Sequence, residues 1–133
     1  MIPVKQEDEL GCAVACVAFV LKIPYSEALT LFEDGKRRVK EEANFYCPEL
    51  VKILNGKGLN YSWKKLNKEN AEVINKDLSI VFIKASNKYH FGHFLVRYKD
   101  KWMDPWINLP ESKIEAEFRD KLPGEPTYAV YNS

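Results

Sequence analysis

The hydrophobic pattern changes period about halfway along the chain. From Gly11 to Lys22 apolar positions run almost unbroken through small and branched residues. That is the pattern of a helix buried on most sides. Pro24 ends it. Ser26 predicts the N-cap of a second helix through Phe32, with Gly35 as its stop. Pro48 suits the first turn of a third helix, Glu49 to Asn55, closed by Gly56 and Gly58. Beyond Gly58 the period shortens to two. Leu59 to Trp63 predicts a short strand, and Glu69 to Asn75 a short surface helix. Ser79 to Lys84, His93 to Tyr98 and Lys101 to Asp104 predict three stronger strands. Lys99-Asp100 joins the last two tightly enough for an antiparallel hairpin, and Pro105 closes it. A short helix is expected near Lys113 to Phe118, and a final strand from Thr127 to Tyr131.

Helices followed by an antiparallel sheet make an α+β fold, with the N-terminal helices packed on the C-terminal sheet. The chain of 133 residues suits one domain, 1–133, able to bury a core without disulfides or structural metal. In that layout the helix led by Cys12, the strand opened by His93 and the strand ended by Asp104 can meet at one cleft.

Composition narrows the function classes. Twenty basic side chains face 19 acidic ones, for a formal charge of +1. This balance offers no electrostatic case for nucleic acid or an anionic membrane. The basic run Lys36, Arg37, Arg38 and Lys40 meets Glu41 and Glu42 at once and reads as a solvated helix face. Three cysteines, Cys12, Cys16 and Cys47, are an odd count that suggests no disulfide framework. They suit a reducing compartment or a reactive thiol. The apolar run 12–21 is too short to cross a bilayer, and acidic Gln6 to Glu9 does not resemble the start of a signal peptide. The expectation is a cytoplasmic protein without membrane partner, unless the chain belongs to a secreted effector.

The chemistry starts from Cys12. A thiol is a strong nucleophile as thiolate, and a helix N-terminus and a neighbouring imidazolium both favour that form. Gly11 precedes Cys12 at the start of the apolar helix, where it can take an unusual backbone angle and leave room for substrate. Nucleophilic catalysis then needs a base, and a group to hold the base. Of the two histidines, His93 lies between Gly92 and a strong strand, whereas His90 falls in the loop from Asn87 to Phe91. Asp104, at the far end of the hairpin, can face His93 and hold its tautomer. The Cys12 N–H and the Gln6 side-chain amide are candidate oxyanion donors. Cys16 and Cys47 read as buried hydrophobes. Phe91, Trp102 and Trp106 read as core or rim, with a groove lining as the alternative.

The segment Gln6-Glu-Asp-Glu-Leu-Gly-Cys12-Ala-Val-Ala-Cys16-Val-Ala resembles the start of the bacteriocin-processing, double-glycine-leader cysteine peptidases and their stand-alone relatives. In that family a Gln stands six residues before the catalytic Cys. Gly92-His93-Phe94-Leu95-Val96 resembles the family's histidine strand, and Met103-Asp104-Pro105-Trp106 its aspartate-proline turn. The resemblance runs in order along nearly the whole chain. It implies a papain-like α+β fold, Cys12 as nucleophile, His93 as base, Asp104 as orienting residue and Gln6 in the oxyanion hole. It implies a peptide or protein substrate and no cofactor. The family commonly has Asp-Cys-Gly where this chain has Gly11-Cys12-Ala13.

Other readings stay open. Cys12, Cys16, His90 and His93 supply two cysteines and two histidines for a metal, although Cys-x-x-x-Cys on a continuous apolar helix is not a zinc knuckle. A catalytically inactive papain-like module would bind a partner. Thioester chemistry also serves transferases and deamidases, including effectors or toxins with an inhibitory protein partner.

Overall fold

The predicted buried helix forms as α1, Cys12–Leu21, and eight of its ten residues, Ala13 to Val20, are buried. Val14, Val17 and Val20 are mediocre helix formers, at a cost of a few tenths of a kcal/mol each. Burying a Val or Phe side chain contributes about 1.5–3 kcal/mol, so packing outweighs propensity. Lys22, in the left-handed conformation, returns its N–H to the Ala18 and Phe19 carbonyls and ends the helix.

The computed structural model describes residues Met1–Ser133 and gives four helices and six strands. Three short helices follow α1: α2, Tyr25–Leu29; α3, Gly35–Glu41; and α4, Cys47–Gly56. The strands are β1, Tyr61–Lys65; β2, Ile80–Ile83; β3, His93–Tyr98; β4, Lys101–Asp104; β5, Glu117–Arg119; and β6, Pro126–Asn132. They form one sheet in the order β1-β6-β2-β3-β4-β5, with every neighbouring pair antiparallel. The α+β architecture therefore stands, with α1 packed against β3.

Alternation along the strands builds two cores. Ile80, Phe94, Val96, Met103 and Val130 join α1 in the main one. Val81, Ile83, Leu95 and Trp102, at the intervening positions, form a smaller cluster with Tyr89. Trp102 thus belongs to a core.

Four expectations are corrected. Ser26 is not a cap: Pro24 stands at that position with an extended backbone, and Ser26 lies inside α2. Gly35 opens a helix and does not stop one, because Asp34 takes the left-handed turn before it. The basic run is that helix α3, and it is only partly solvated. Arg38 is bound bidentately to Glu49 at 2.7 and 2.8 Å and lies over the Phe45 ring. Finally, Lys113 to Phe118 is not helical. Glu117 to Arg119 pair with Asp104 to Trp102 as β5, and Phe118 stacks on Tyr98. A free strand edge on β4 and an aromatic partner, both distant in sequence, override the local preference.

Gly92 carries a strict backbone requirement just before β3. Its φ is +76°, and a Cβ there would meet the Phe82 ring at 2.2 Å and the Ile83 carbonyl at 2.7 Å. Gly56, by contrast, has nothing within 4 Å of the equivalent point. Gly92→Ala is expected to cost about 2 kcal/mol or more, and Gly56→Ala to leave stability level or slightly raised. Urea unfolding of the two variants against the parent measures both.

Candidate active site

Cys12 is the first residue of α1, and Gly11 before it offers no side-chain cap. The N–H groups of that first turn have no acceptor within the helix, so they point outward with the positive end of its dipole. Cys12 is partly exposed while Cys16, one turn deeper, is fully buried. Burial pushes the Cys16 thiol well above its ordinary range and the Cys47 thiol up to about 11. Those two sulfurs stay protonated at neutral pH.

Gly11 serves a different need from the one its sequence context suggests. Its φ is −97°, an angle open to any residue. The space beside it is filled by the Tyr25 hydroxyl, which an added Cβ would meet at 2.0 Å. That hydroxyl donates to Asp8 Oδ2 at 3.0 Å. The glycine lets Tyr25 brace the segment leading into Cys12; it does not make room for substrate.

Register brings the histidine and the carboxylate together. β3 and β4 pair Val96 with Met103 and Arg97 with Trp102, so one further step sets Asp104 opposite Leu95. His93 is then the diagonal neighbour, within reach of a side chain. Its Nε2 lies 2.7 Å from Asp104 Oδ1. Beside a carboxylate that nitrogen carries the proton and donates it, leaving Nδ1 for the other side of the ring. Cys12, at the tip of α1, lines the same cleft as His93 and acts on its ring electrostatically. Burial, the strongest influence, pulls the imidazole pKa down. The bond to Asp104 and the influence of Cys12 outweigh it and raise the value from 6.5 to about 9. The Tyr89 ring covers His93, stacked at 4.8 Å and 19°.

Asp104 is fully buried. Its Oδ1 also accepts the Trp106 N–H at 3.0 Å, and its Oδ2 accepts from the Arg119 guanidinium at 2.9 Å. Burial pushes its pKa up most strongly, but His93, the Trp106 N–H and Arg119 together hold it below the ordinary carboxylate range.

Gln6 is buried beside the same cleft. Its Nε2 donates to the Asp8 and Glu9 carbonyls at 2.9 and 3.0 Å, and its own N–H to the Pro105 carbonyl at 3.2 Å. Both amide hydrogens are thereby used on the loop before Cys12, and the buried Oε1 has no partner. Gln6 ties that loop to the Asp104-Pro105 turn; it offers no free donor to an oxyanion.

These side chains border a cleft of about 940 Å³. Cys12 and His93 lie in it, and Phe82, Tyr128 and Trp106 line it. Tyr46, Trp63 and Phe91 stand at its mouth, 67%, 43% and 66% exposed. Glu9 and Lys88 are its only carboxylate and ammonium groups. His90 also reaches the cleft, but no three His, Cys, Asp or Glu side chains converge as metal ligands, so Cys12, Cys16, His90 and His93 form no such set. Sequence reasoning missed Arg119, which sits in the segment expected to border a helix, and Tyr89, which carried no local signal. It also missed Tyr46, Trp63 and Tyr128. No protein-family model matches the chain, and no curated protein matches its sequence.

The His93 environment makes a prediction about stability. A base whose folded pKa lies above its unfolded one stabilises the fold fully below the lower value, and that contribution fades as pH rises through the higher one. With values of 6.5 and about 9, stability is expected to fall across that interval. The fall should be on the order of 2–3 kcal/mol. Urea unfolding at both ends, in the parent and in His93→Gln, checks it: the variant should show the shallower dependence.

Proposed function

We propose that the chain is a cysteine hydrolase of the papain-like kind, cleaving a peptide or related amide bond through a thioester. One observation carries the reading: His93, fastened at 2.7 Å to a buried carboxylate, shares one cleft with Cys12 at the free end of a helix. The resemblance to the bacteriocin-processing peptidases supports it, as does the placement of nucleophile on a helix and base on a strand.

The reaction follows from those positions. The Cys12 thiolate attacks the carbonyl carbon, forming a C–S bond and moving charge to the carbonyl oxygen. The Cys12 N–H faces that oxygen, and a donor of this kind is typically worth on the order of 10²–10³ in rate. Gln6 joins it only by giving up one of its two carbonyl bonds. The intermediate collapses, the amine leaves with the proton from His93 Nδ1, and a thioester remains. Water then attacks the thioester, His93 takes its proton, and breaking the C–S bond releases the acid. The thiolate and imidazolium are restored. Asp104 holds the ring throughout without taking the proton.

The cleft suits a substrate with bulky apolar side chains beside the scissile bond, since aromatic rings dominate its walls and mouth. Fluorogenic peptides carrying Phe or Leu there are expected to outrun those carrying Asp or Lys by about tenfold or more.

Thiol alkylation tests the mechanism directly. With iodoacetamide at neutral pH, Cys12 is expected to label first, Cys12→Ala to lose both labelling and turnover, and His93→Gln to lose about 10³-fold or more in kcat. First labelling at Cys16 or Cys47 sinks the proposal. So does a Cys12 that forms no adduct with any electrophile.

A further inference from the structure

We propose that Arg119 is a positioning residue of this site: it grips the outer oxygen of Asp104, fixes the carboxylate for His93, and balances the carboxylate's hold on the ring proton. The inference rests on the hydrolase reading above.

The sheet register puts Arg119 where it can do this. β4 and β5 pair Asp104 with Glu117 and Trp102 with Arg119. Asp104 therefore has a diagonal neighbour on each side, His93 from β3 and Arg119 from β5. Each takes one carboxylate oxygen, at 2.7 and 2.9 Å. The guanidinium is itself fixed, because its Nε donates to the Lys121 carbonyl at 3.0 Å. Glu117, directly opposite Asp104, does not compete: it is exposed and accepts the Phe118 N–H. Arg119 does not line the cleft, so its effect on substrate passes through Asp104.

The catalytic need is clear from the charges. With His93 protonated, Asp104 has two cationic partners. When His93 gives its proton to the leaving amine, the ring becomes neutral. Without Arg119 that step would strand an anion at a fully buried position, which is strongly unfavourable. With Arg119 in place the carboxylate keeps a partner, and the proton can leave. Removing the guanidinium therefore makes His93 hold its proton more tightly.

The other groups facing His93 are few. Cys12 acts on it from α1, and Cys16, one turn deeper, lies within the charge field of Cys12 and Asp104. The Tyr89 ring stacks on His93 from the preceding loop, with a buried hydroxyl on which Arg119 also acts. Glu9, Lys88 and His90 share the cleft. Asp104 comes from β4.

The test is an NMR titration of the His93 ring in a Cys12→Ala background, which removes the sulfur, for Arg119→Gln and Arg119→Lys. In Arg119→Gln the titration is expected to move up by about half a pH unit or more. In Arg119→Lys, which keeps a charge, it should stay closer to the parent. With Cys12 restored, Arg119→Gln should lower kcat about tenfold while KM changes less than about twofold. An unmoved titration in Arg119→Gln overturns the proposal even if activity falls, because loss of packing alone predicts that result. If Arg119→Gln does not fold, Arg119→Lys decides: a large upward shift with charge retained overturns it. An unreactive Cys12 in the parent defeats the hydrolase reading instead, and the His93 titration still reports on Arg119.

Discussion

A carboxylate with no exposed surface organises this protein. Asp104 ends strand β4 with its side chain fully buried, and taking an ion of this size out of water costs several kcal/mol unless partners replace the solvent. The fold supplies three partners at such a point, and the two from the sheet only because the neighbouring strands are in register. Here β3 brings an imidazole, β5 a guanidinium, and the turn after Pro105 a backbone N–H. A slip of one residue in either ladder would turn these partners to the opposite face of the sheet. The pairing of the strands and the charge arrangement of the site are thus one constraint.

From that anchor the site builds outward as alternating charge. Arg119 is positive, Asp104 negative, His93 positive, and the proposed Cys12 thiolate negative. The helix N-terminus lies beyond, with its own partial positive charge. Each member makes its neighbour's ionised form easier to keep in a place with little solvent. Aromatic covering completes the arrangement: Tyr89 lies flat on His93, and Trp106 gives its N–H to Asp104 while lining the cleft.

α1 shows how one helix separates two thiols by depth. Its residues from Ala13 to Val20 are buried, which makes it a rigid post rather than an amphipathic surface helix. Cys16 lies within the post, and burial holds its thiol protonated. Cys12 lies at its tip, where packing ends and the cleft begins. The segment before the tip is pinned by Tyr25 to Asp8 and by Gln6 to two carbonyls and to Pro105. Gln6 and Tyr25 are therefore occupied in holding the loop before Cys12.

Periodicity made α1 and the strands β2, β3, β4 and β6 legible, because a buried helix and half-buried strands leave strong local patterns. The same patterns placed Cys12 at a helix start, His93 at a strand start and Asp104 at a strand end. Local signals failed where the deciding partner was remote. Ser26 looks like a cap, but the helix begins at the proline before it. Gly11 looks like the site of an unusual backbone angle with room for substrate, but its φ is ordinary and the space beside it is filled by Tyr25. Gln6 looks like a free donor, but carbonyls two and three residues on take both its hydrogens.

Glu117 to Arg119 is the sharpest case, since no local pattern reveals that β4 has an open edge to fill. By itself, then, the amino-acid order determined that Cys12 starts a helix, His93 starts a strand and Asp104 ends one, because helix and strand ends follow from short-range hydrophobic pattern. Only the tertiary structure decided that Arg119 completes the buried charge, that Gln6 braces a loop, and that aromatic rings from six separate segments wall one cleft. Those outcomes depend on strand register and on packing between distant segments, and neither is written in any local stretch of sequence.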